Sequence, residues 1–374
     1  MIKSQSRKKV LWVAVGLPLL VVLASAAAWF YRLDERWALV LASWRAPDRI
    51  PMAVLGDSDS HSYHDRVSFG AQPGLRGGAY RATTWQWPEV LAGVRGDALN
   101  LGPWSRWGTN LDLVALLRQW RGQEGRVPMK EDYRHNMAVS GAHCEQLMTM
   151  PYAQAVHLRR IMDEAPQSWE KGVVVIRIGV NDFGQPEDLE PLAQNPADPV
   201  MLARMDSCVN NIQSAVSYLH AHHPKVAFLV VGIFNNAHYA AALDRWQSAQ
   251  AQRNLDQGLD HFDSVLKAWA DRDPHVAFFS DRDWFKQWMG GRNGDGVPAY
   301  HDAQIGTHFK VHNTAGDAPT NAFLADEHAG SVLNAMWARS IIEHLNAEFA
   351  TAIPVPTDDE LTNFLDPDGK LGMR

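Results

Sequence analysis

The sequence has only two cysteines, Cys144 and Cys208, among its 374 residues. So few thiols exclude a disulfide-built scaffold, and their spacing suits no zinc motif. Whether they pair or remain buried thiols is left open at this point. Positive charge is also short: 35 Lys and Arg stand against 42 Asp and Glu, a net charge of -7. That excludes nucleic acid as the main partner, because phosphate binding needs a concentrated basic surface. There is no repeat and no low-complexity tract. Gly74, Gly77 and Gly78 lie in a glycine-rich stretch, expected to form a loop, without the following helix and Lys-Ser/Thr pair of a phosphate loop. What is present is the composition of a globular chain, 46% hydrophobic and 21% charged. It is long enough for one large core or two modest ones.

Long uncharged runs are scarce, and the clearest spans Val10 to Phe30 behind Lys3, Arg7, Lys8 and Lys9. A run of this length crosses the hydrocarbon layer as a helix. The basic lead, followed by the mixed charges Arg32, Asp34, Glu35 and Arg36, predicts an N-terminus inside and everything else outside. Ala24-Ser25-Ala26 offers a cleavage site, so a signal peptide is the rival to an anchor. On either reading the bulk of the chain is expected to be extracytoplasmic, periplasmic or extracellular, as a membrane-anchored or secreted protein. The expected organisation is an anchor or signal segment over 1–30, a linker over 31–49, one domain over 50–352 and a peripheral tail over 353–374.

From about Ile50 onward, short apolar runs alternate with helical patterns. Met52 to Leu55, Val173 to Ile178, Val226 to Val231 and Val276 to Phe279 are nearly continuous in apolar residues, as parallel strands covered on both faces require. Asp97 to Leu101 and Asn136 to Val139 are further strand candidates. Leu202 to His220, Leu255 to Ala270 and Gly330 to Phe349 carry helical patterns. Such alternation predicts an open, mainly parallel α/β/α sheet in three layers, with its site at the carboxyl ends of the strands.

The first of these strands runs into Gly56-Asp57-Ser58, which places Ser58 on a tight turn at the carboxyl edge. Alone this tripeptide is weak, since an Asp-Ser helix cap reads the same way. Three more blocks follow in order. Asn136-Met137-Ala138-Val139-Ser140-Gly141-Ala142 precedes Ile178-Gly179-Val180-Asn181-Asp182, and His328 leads into Ala329-Gly330 and a helix. Together they resemble the SGNH (GDSL-like) hydrolase superfamily, whose blocks supply Ser, Gly, Asn and His in that order. The resemblance spans about Val54 to Phe349. It implies a flavodoxin-like hydrolase fold and an esterase with Ser58 as nucleophile. Gly141 and Asn181 are implied as oxyanion donors and His328 as base, with no metal and no organic cofactor. Segment Asn100-Leu101-Gly102-Pro103 also resembles the second block, with Gly102 as the donor in place of Gly141 and Gly108 further along, although Gly141 fits better.

The pattern breaks at the acid. The family places Asp three residues before the histidine, and here that position is Ala325. Asp326, two residues before His328, is the expected replacement, since residues two apart share a face in extended backbone. Glu327, Asp302 and Asp317 remain alternatives. The expected reaction is hydrolysis of an O-acyl ester, O-acetyl among them, through an acyl-serine. The expected partner is a small-molecule or glycan ester, with the membrane reached through the N-terminal segment. An O-acyltransferase acting on an envelope polysaccharide and an inactive envelope binding protein of the same fold are the alternatives. Trp85, Trp87, Trp104, Trp107 and Trp120 cluster between the first two blocks, which suits either a sugar platform or packing. His61 and His64 flank the nucleophile and are expected at the surface or in packing. His220, His222 and His223 suit a helix C-terminus better than a metal.

Overall fold

The computed structural model describes residues 49–374 except 71–73, 122–123, 308, 370 and 372–374. The apolar run Val10 to Phe30 and the linker up to residue 48 lie outside the described residues. Among the described residues no helix is long and apolar enough to cross a membrane. Arg49 to Arg374 form one compact unit.

Five parallel strands build its centre: β1 (Ile50–Gly56), β2 (Leu99–Asn100), β5 (Val173–Arg177), β6 (Ala227–Val231) and β7 (Val276–Phe279), in the order β2-β1-β5-β6-β7. Between β2 and β5 the chain makes an antiparallel pair, β3 (Trp104–Trp107) with β4 (Lys130–Tyr133). Two small sheets follow β7. One is β8 (Gly290–Arg292) with β9 (Pro298–Tyr300), and the other is β10 (Ala303–Ile305), β11 (Phe309–Ala315) and β12 (Asn321–Phe323).

The continuous apolar runs are explained by burial on both faces. In β1, Ala53 and Leu55 belong to one core cluster and Met52 and Val54 to the other. The same alternation sends Val174 and Ile176 of β5 one way, Val173 and Val175 the other. One core is closed by α3 (Gln154–Asp163), α5 (Pro199–His222) and α6 (Ala249–Ala270), through residues such as Leu158, Ile212 and Phe262. The opposite core is closed by α1 (Trp87–Arg95), α7 (Asp281–Met289) and α8 (Ser331–Phe349), through Trp87, Phe285 and Trp337. The remaining helices are α2 (Asp112–Trp120), α4 (Pro186–Gln194) and α9 (Asp358–Leu365). This is an α/β fold around a mainly parallel sheet.

Two expectations need amendment. Asn136 to Val139 forms no full strand. Asn136 bridges Val54, Met137 N–H donates to Val54 O at 2.8 Å and Val139 N–H to Gly56 O at 3.1 Å, so the segment flanks only the upper half of β1. The C-terminal stretch is not peripheral throughout. Thr357 caps α9, Leu361 and Leu365 are buried, and Glu360 pairs with Arg95 at 2.6 Å. Its polar composition conceals a short apolar stripe that docks on α1. The cysteines are paired: Cys144 and Cys208 form a disulfide with Cα atoms 5.0 Å apart.

Several histidines are buried and neutral. Burial, with Arg134 nearby, pushes His135 down to about 3. Burial and neighbouring cations push His157 and His238 down to about 4. Each therefore contributes stability that is present above the unfolded value of ~6.5 and is lost as pH falls toward the folded value. We expect the stability lead of the parent over His238→Asn to shrink as pH falls from 7 to 4, by on the order of 3 kcal/mol. Urea unfolding at each pH measures it, and a constant lead would refute the assignment.

Candidate functional site

β1 delivers the chain to the carboxyl edge of the sheet, and there it turns sharply. A Cβ on Gly56 would lie 2.3 Å from Arg177 O, so the two strand ends approach too closely for any side chain. Asp57 is buried and its Oδ1 accepts the Asp59 N–H at 3.0 Å. Ser60 and His61 N–H groups return to Asp57 O at 3.2 and 3.1 Å. Ser58 stands half-buried at the crown of this turn.

The turn is held by side chains from all sides. Gln154 of α3 makes a two-way amide pair with Gly56, both bonds 2.8 Å. Gln86 donates to Ser58 O at 3.2 Å, while Trp87 and Arg177 donate to Asp59 O at 3.1 and 3.0 Å. Asn136 donates to Ser60 O at 2.9 Å. Asp132 accepts the Ser62 hydroxyl at 2.6 Å and is itself paired with buried Lys130 at 2.9 Å.

The segment beside β1 carries Ser140 and Gly141 up to this edge. Gly141 has φ 78°, in the left-handed region, and a Cβ there would meet nothing within 4 Å. Gly141 is exposed at this edge. Gly102 also has positive φ, but it sits at the β2 edge against Arg134 and His135, away from Gly56. Gly108 packs against the backbone of Arg126 and Pro128. After β5, Gly179 turns the chain into a π-helical turn over Val180–Gly184. There Asn181 Nδ2 donates to Ala142 O at 3.0 Å, using one of its two amide hydrogens. The next residue, Asp182, accepts the Cys144 N–H at 3.0 Å. The loops carrying Gly141 and Asn181 are thus cross-tied, and the disulfide fastens the first of them to α5.

His328 closes the arrangement. Leu324 N–H donates to His328 O at 2.7 Å and Glu327 N–H to Leu324 O at 3.1 Å, a tight turn with Glu327 at φ 65°. The left-handed residue folds Asp326 back toward the ring. His328 Nδ1 lies 3.3 Å from Asp326 Oδ1 and 2.9 Å from Asp326 O. The other acid candidates are elsewhere. Asp302 is engaged by Lys310 at 2.8 Å and His312 at 2.6 Å, Asp317 accepts the Ala325 N–H at 3.2 Å, and Glu327 is exposed. Burial alone would raise the Asp326 pKa. The hydrogen bond and charge of His328, joined by Arg76, outweigh it and hold the carboxyl well below the usual carboxylate range.

Sequence reasoning missed two groups. Arg76, buried at the end of the glycine-rich loop, pairs with Asp326 Oδ2 through Nη1 and donates its backbone N–H to the same oxygen at 3.1 Å. Its Nη1 lies 2.7 Å from His328 Nδ1, its Nη2 reaches Ser140 Oγ at 3.4 Å, and its guanidinium lies over the Phe69 ring at 4.5 Å. His61 is the second. It is buried rather than superficial, accepts the Ser140 N–H on Nδ1 at 3.1 Å, and holds Asp65 with Nε2 at 2.9 Å. Burial, with Lys130 nearby, keeps its pKa below the ordinary value and the ring neutral. No local signal marks Arg76. The i, i+4 spacing of His61 and Asp65 was visible but has no direction without the fold.

An aromatic cavity adjoins the edge, lined by Phe234, Tyr239, Phe285, Phe323 and Trp337, with Asp59 and Ala329 on its wall. The immediate neighbours of Ser58 and His328 therefore share one hollow. The tryptophan cluster does not: Trp87 and Trp107 are core residues, Trp104 packs on Tyr133 and Trp85 on Phe364. Among the described residues, the one group with metal-ligand proximity is Cys144, Asp182 and Cys208, and its two sulfurs are bonded to each other.

A parallel α/β sheet with this edge has the architecture of an ester hydrolase. Residues 101–309, more than half of the chain, match the model of the GDSL-like Lipase/Acylhydrolase family. The chain belongs to that family and is a hydrolase acting on ester bonds. The matched region holds Gly141 and Asn181, and Ser58 and His328 fall on either side of it. Among curated proteins none matches. Similar solved structures include the lipase Lip_vut3 from a goat rumen metagenome, at 12% identity over 63% of this chain and 83% of that one, TM-score 0.30. A carbohydrate esterase matches at 13% over 81% and 66%, TM-score 0.33. An extracellular lipase from Streptomyces rimosus matches at 15% over 77% and 99%, TM-score 0.33. Scores this low carry nothing about substrate.

Gly56→Ala is expected to destabilise the fold by roughly 2–4 kcal/mol, because its Cβ meets backbone rather than a movable side chain. Denaturant unfolding reads the loss, and a change under about 0.5 kcal/mol would contradict the close approach.

Proposed function

We propose that the protein is a serine esterase that cleaves O-acyl esters outside the cytoplasm, tethered by its N-terminal apolar segment. What supports the reading is the Arg76 guanidinium, which touches Asp326, His328 and Ser140, together with Asp59 and Ala329, the chain neighbours of Ser58 and His328, on the wall of one cavity. The charge-free run from Val10 to Phe30 supports the location.

In this reading Ser58 Oγ attacks the acyl carbon while His328 Nε2 takes its proton. The oxyanion that forms is met by the N–H groups of Ser58 and Gly141 and by the Asn181 amide. His328 returns the proton to the departing alcohol, which leaves an acyl-Ser58 ester. A water then attacks, its proton goes to His328, and the carboxylic acid departs as Ser58 recovers its hydrogen. Asp326 O takes the Nδ1 proton at 2.9 Å, the Asp326 carboxylate steadies the imidazolium, and Arg76 Nη1 is then held on Oδ2 rather than on Nδ1. Arg76 acts through Asp326, holding Oδ2 so that Oδ1 faces the ring. His61 acts through Ser140, fixing the peptide before Gly141. The substrate class we favour is an acylated glycan of the envelope or its surroundings.

Hydrolysis of p-nitrophenyl acetate by the full chain tests the assignment. Ser58→Ala and His328→Ala are expected to abolish it, and persistence in either would remove that residue from the chemistry. Asp326→Asn should lower turnover by about 10²–10⁴ with the fold intact. Arg76→Gln should lower kcat more than it raises KM, with partial recovery in Arg76→Lys. Equal loss in both variants, with melting temperature falling in step, would make Arg76 merely structural.

A further inference from the structure

We infer that α2 is a membrane-surface helix, laid on the same phospholipid layer that the N-terminal segment enters. Helix α2 is packed inside out. Among the described residues eleven large apolar side chains are exposed, and five of them, Leu111, Leu113, Leu116, Leu117 and Trp120, fall on this one short segment. Trp120 is 82% exposed and Leu113 68%. From Leu113 on, the spacing is i, i+3, i+4, i+7, one continuous stripe on one helix face. The face turned to the protein is the polar and small one. Ala115 is the helix's buried residue, Arg118 reaches Gly108 O at 3.4 Å, and Gln119 donates to Gly125 O at 3.0 Å. Elsewhere exposed apolar residues are scattered singly, which is ordinary, whereas a concentrated stripe marks an interaction surface.

The sequence indicates what covers it. The uncharged run Val10 to Phe30 has the length of a bilayer span, and residues 31–48 alone separate it from Arg49. Those eighteen residues reach at most about 60 Å even fully extended, so the domain stays beside the layer. Leucines and an exposed tryptophan suit the boundary between headgroups and acyl chains. Exposed Arg121, next to Trp120 at the end of the stripe, offers a cation to an anionic headgroup. The inference rests on the membrane reading of the N-terminal segment and is independent of the chemistry assigned to Ser58.

The test uses the full chain in vesicles of phosphatidylethanolamine and phosphatidylglycerol. An environment-sensitive fluorophore is placed at Leu116→Cys, and in a second protein at Asp295→Cys, on the exposed β8–β9 turn, as the control. The native cysteines are paired, so the label is specific. At Leu116→Cys we expect a blue-shifted emission, quenched by lipid-borne quenchers about threefold or more strongly than at Asp295→Cys. Protein that floats with the vesicles but is quenched equally at both positions would overturn the docking of α2 and leave the anchor standing. Protein that does not float would overturn both. A blue shift insensitive to lipid quenchers, growing with protein concentration, would assign the stripe to a second copy instead.

Discussion

The structure depends on how the backbone leaves β1 at Gly56. There the chain must turn within a few residues while its peptide groups are shut off from water, and a buried unpaired carbonyl or N–H costs about as much as a lost hydrogen bond. The partners come from nearly every surrounding element. Gln154 bonds both the N–H and the carbonyl of Gly56, Gln86 and Trp87 reach down from the start of α1, Arg177 reaches from the end of β5, and Asn136 from beside β1. Arg177 is in turn fixed by Asp281 at the start of α7, at 2.7 Å. The topology can therefore be understood as the set of crossings that brings these side chains to one point. A sheet that placed β5 elsewhere would take Arg177 from Asp59 O, leaving it the Trp87 indole alone, and would part the guanidinium from Asp281.

Rigidity at that point has a chemical consequence. Oxyanion stabilisation relies on donors that do not reorganise when charge develops. The Val139–Ser140 peptide, one before that of the Gly141 N–H, is held from below by His61, and the Asn181 loop is tied to Ala142 and Cys144. The proposed donors thus sit on segments fixed to each other and, through His61, to the turn that carries Ser58. Their supporting polar groups are buried and matched, which suits a site that keeps its shape between turnovers.

Much of this was legible in the sequence, and the legible part has a common cause. Strands buried on both faces are continuous apolar runs whatever surrounds them, so β1, β5, β6 and β7 could be read within a residue or two. What escaped reading depends on partners distant in sequence. Arg76 meets Asp326 250 positions away, and nothing near Arg76 announces it. Leu361 and Leu365 were hidden in a polar tail because their apolar stripe is only one turn long. In α2 the pattern was present but its outward face could not be inferred, since periodicity identifies a helix face without saying what lies against it.

In the proposed site, the displaced acid shows how a broken motif is physically repaired. With the carboxylate three positions before the imidazole, a helical turn alone stacks the two side chains. With two, the backbone must fold back, and here it does so through the left-handed Glu327, a conformation that is uncommon outside glycine. A carboxylate brought round in this way has its second oxygen facing the protein interior. Left bare, that oxygen would be a desolvated charge free to rotate away from the ring. The Arg76 backbone N–H and guanidinium both take it, and the guanidinium is itself braced against Phe69. Ala325 is thus a change of spacing whose geometric consequences are met by a turn on one side and a clamp on the other. This is why its absence of a carboxylate does not argue for an inactive fold.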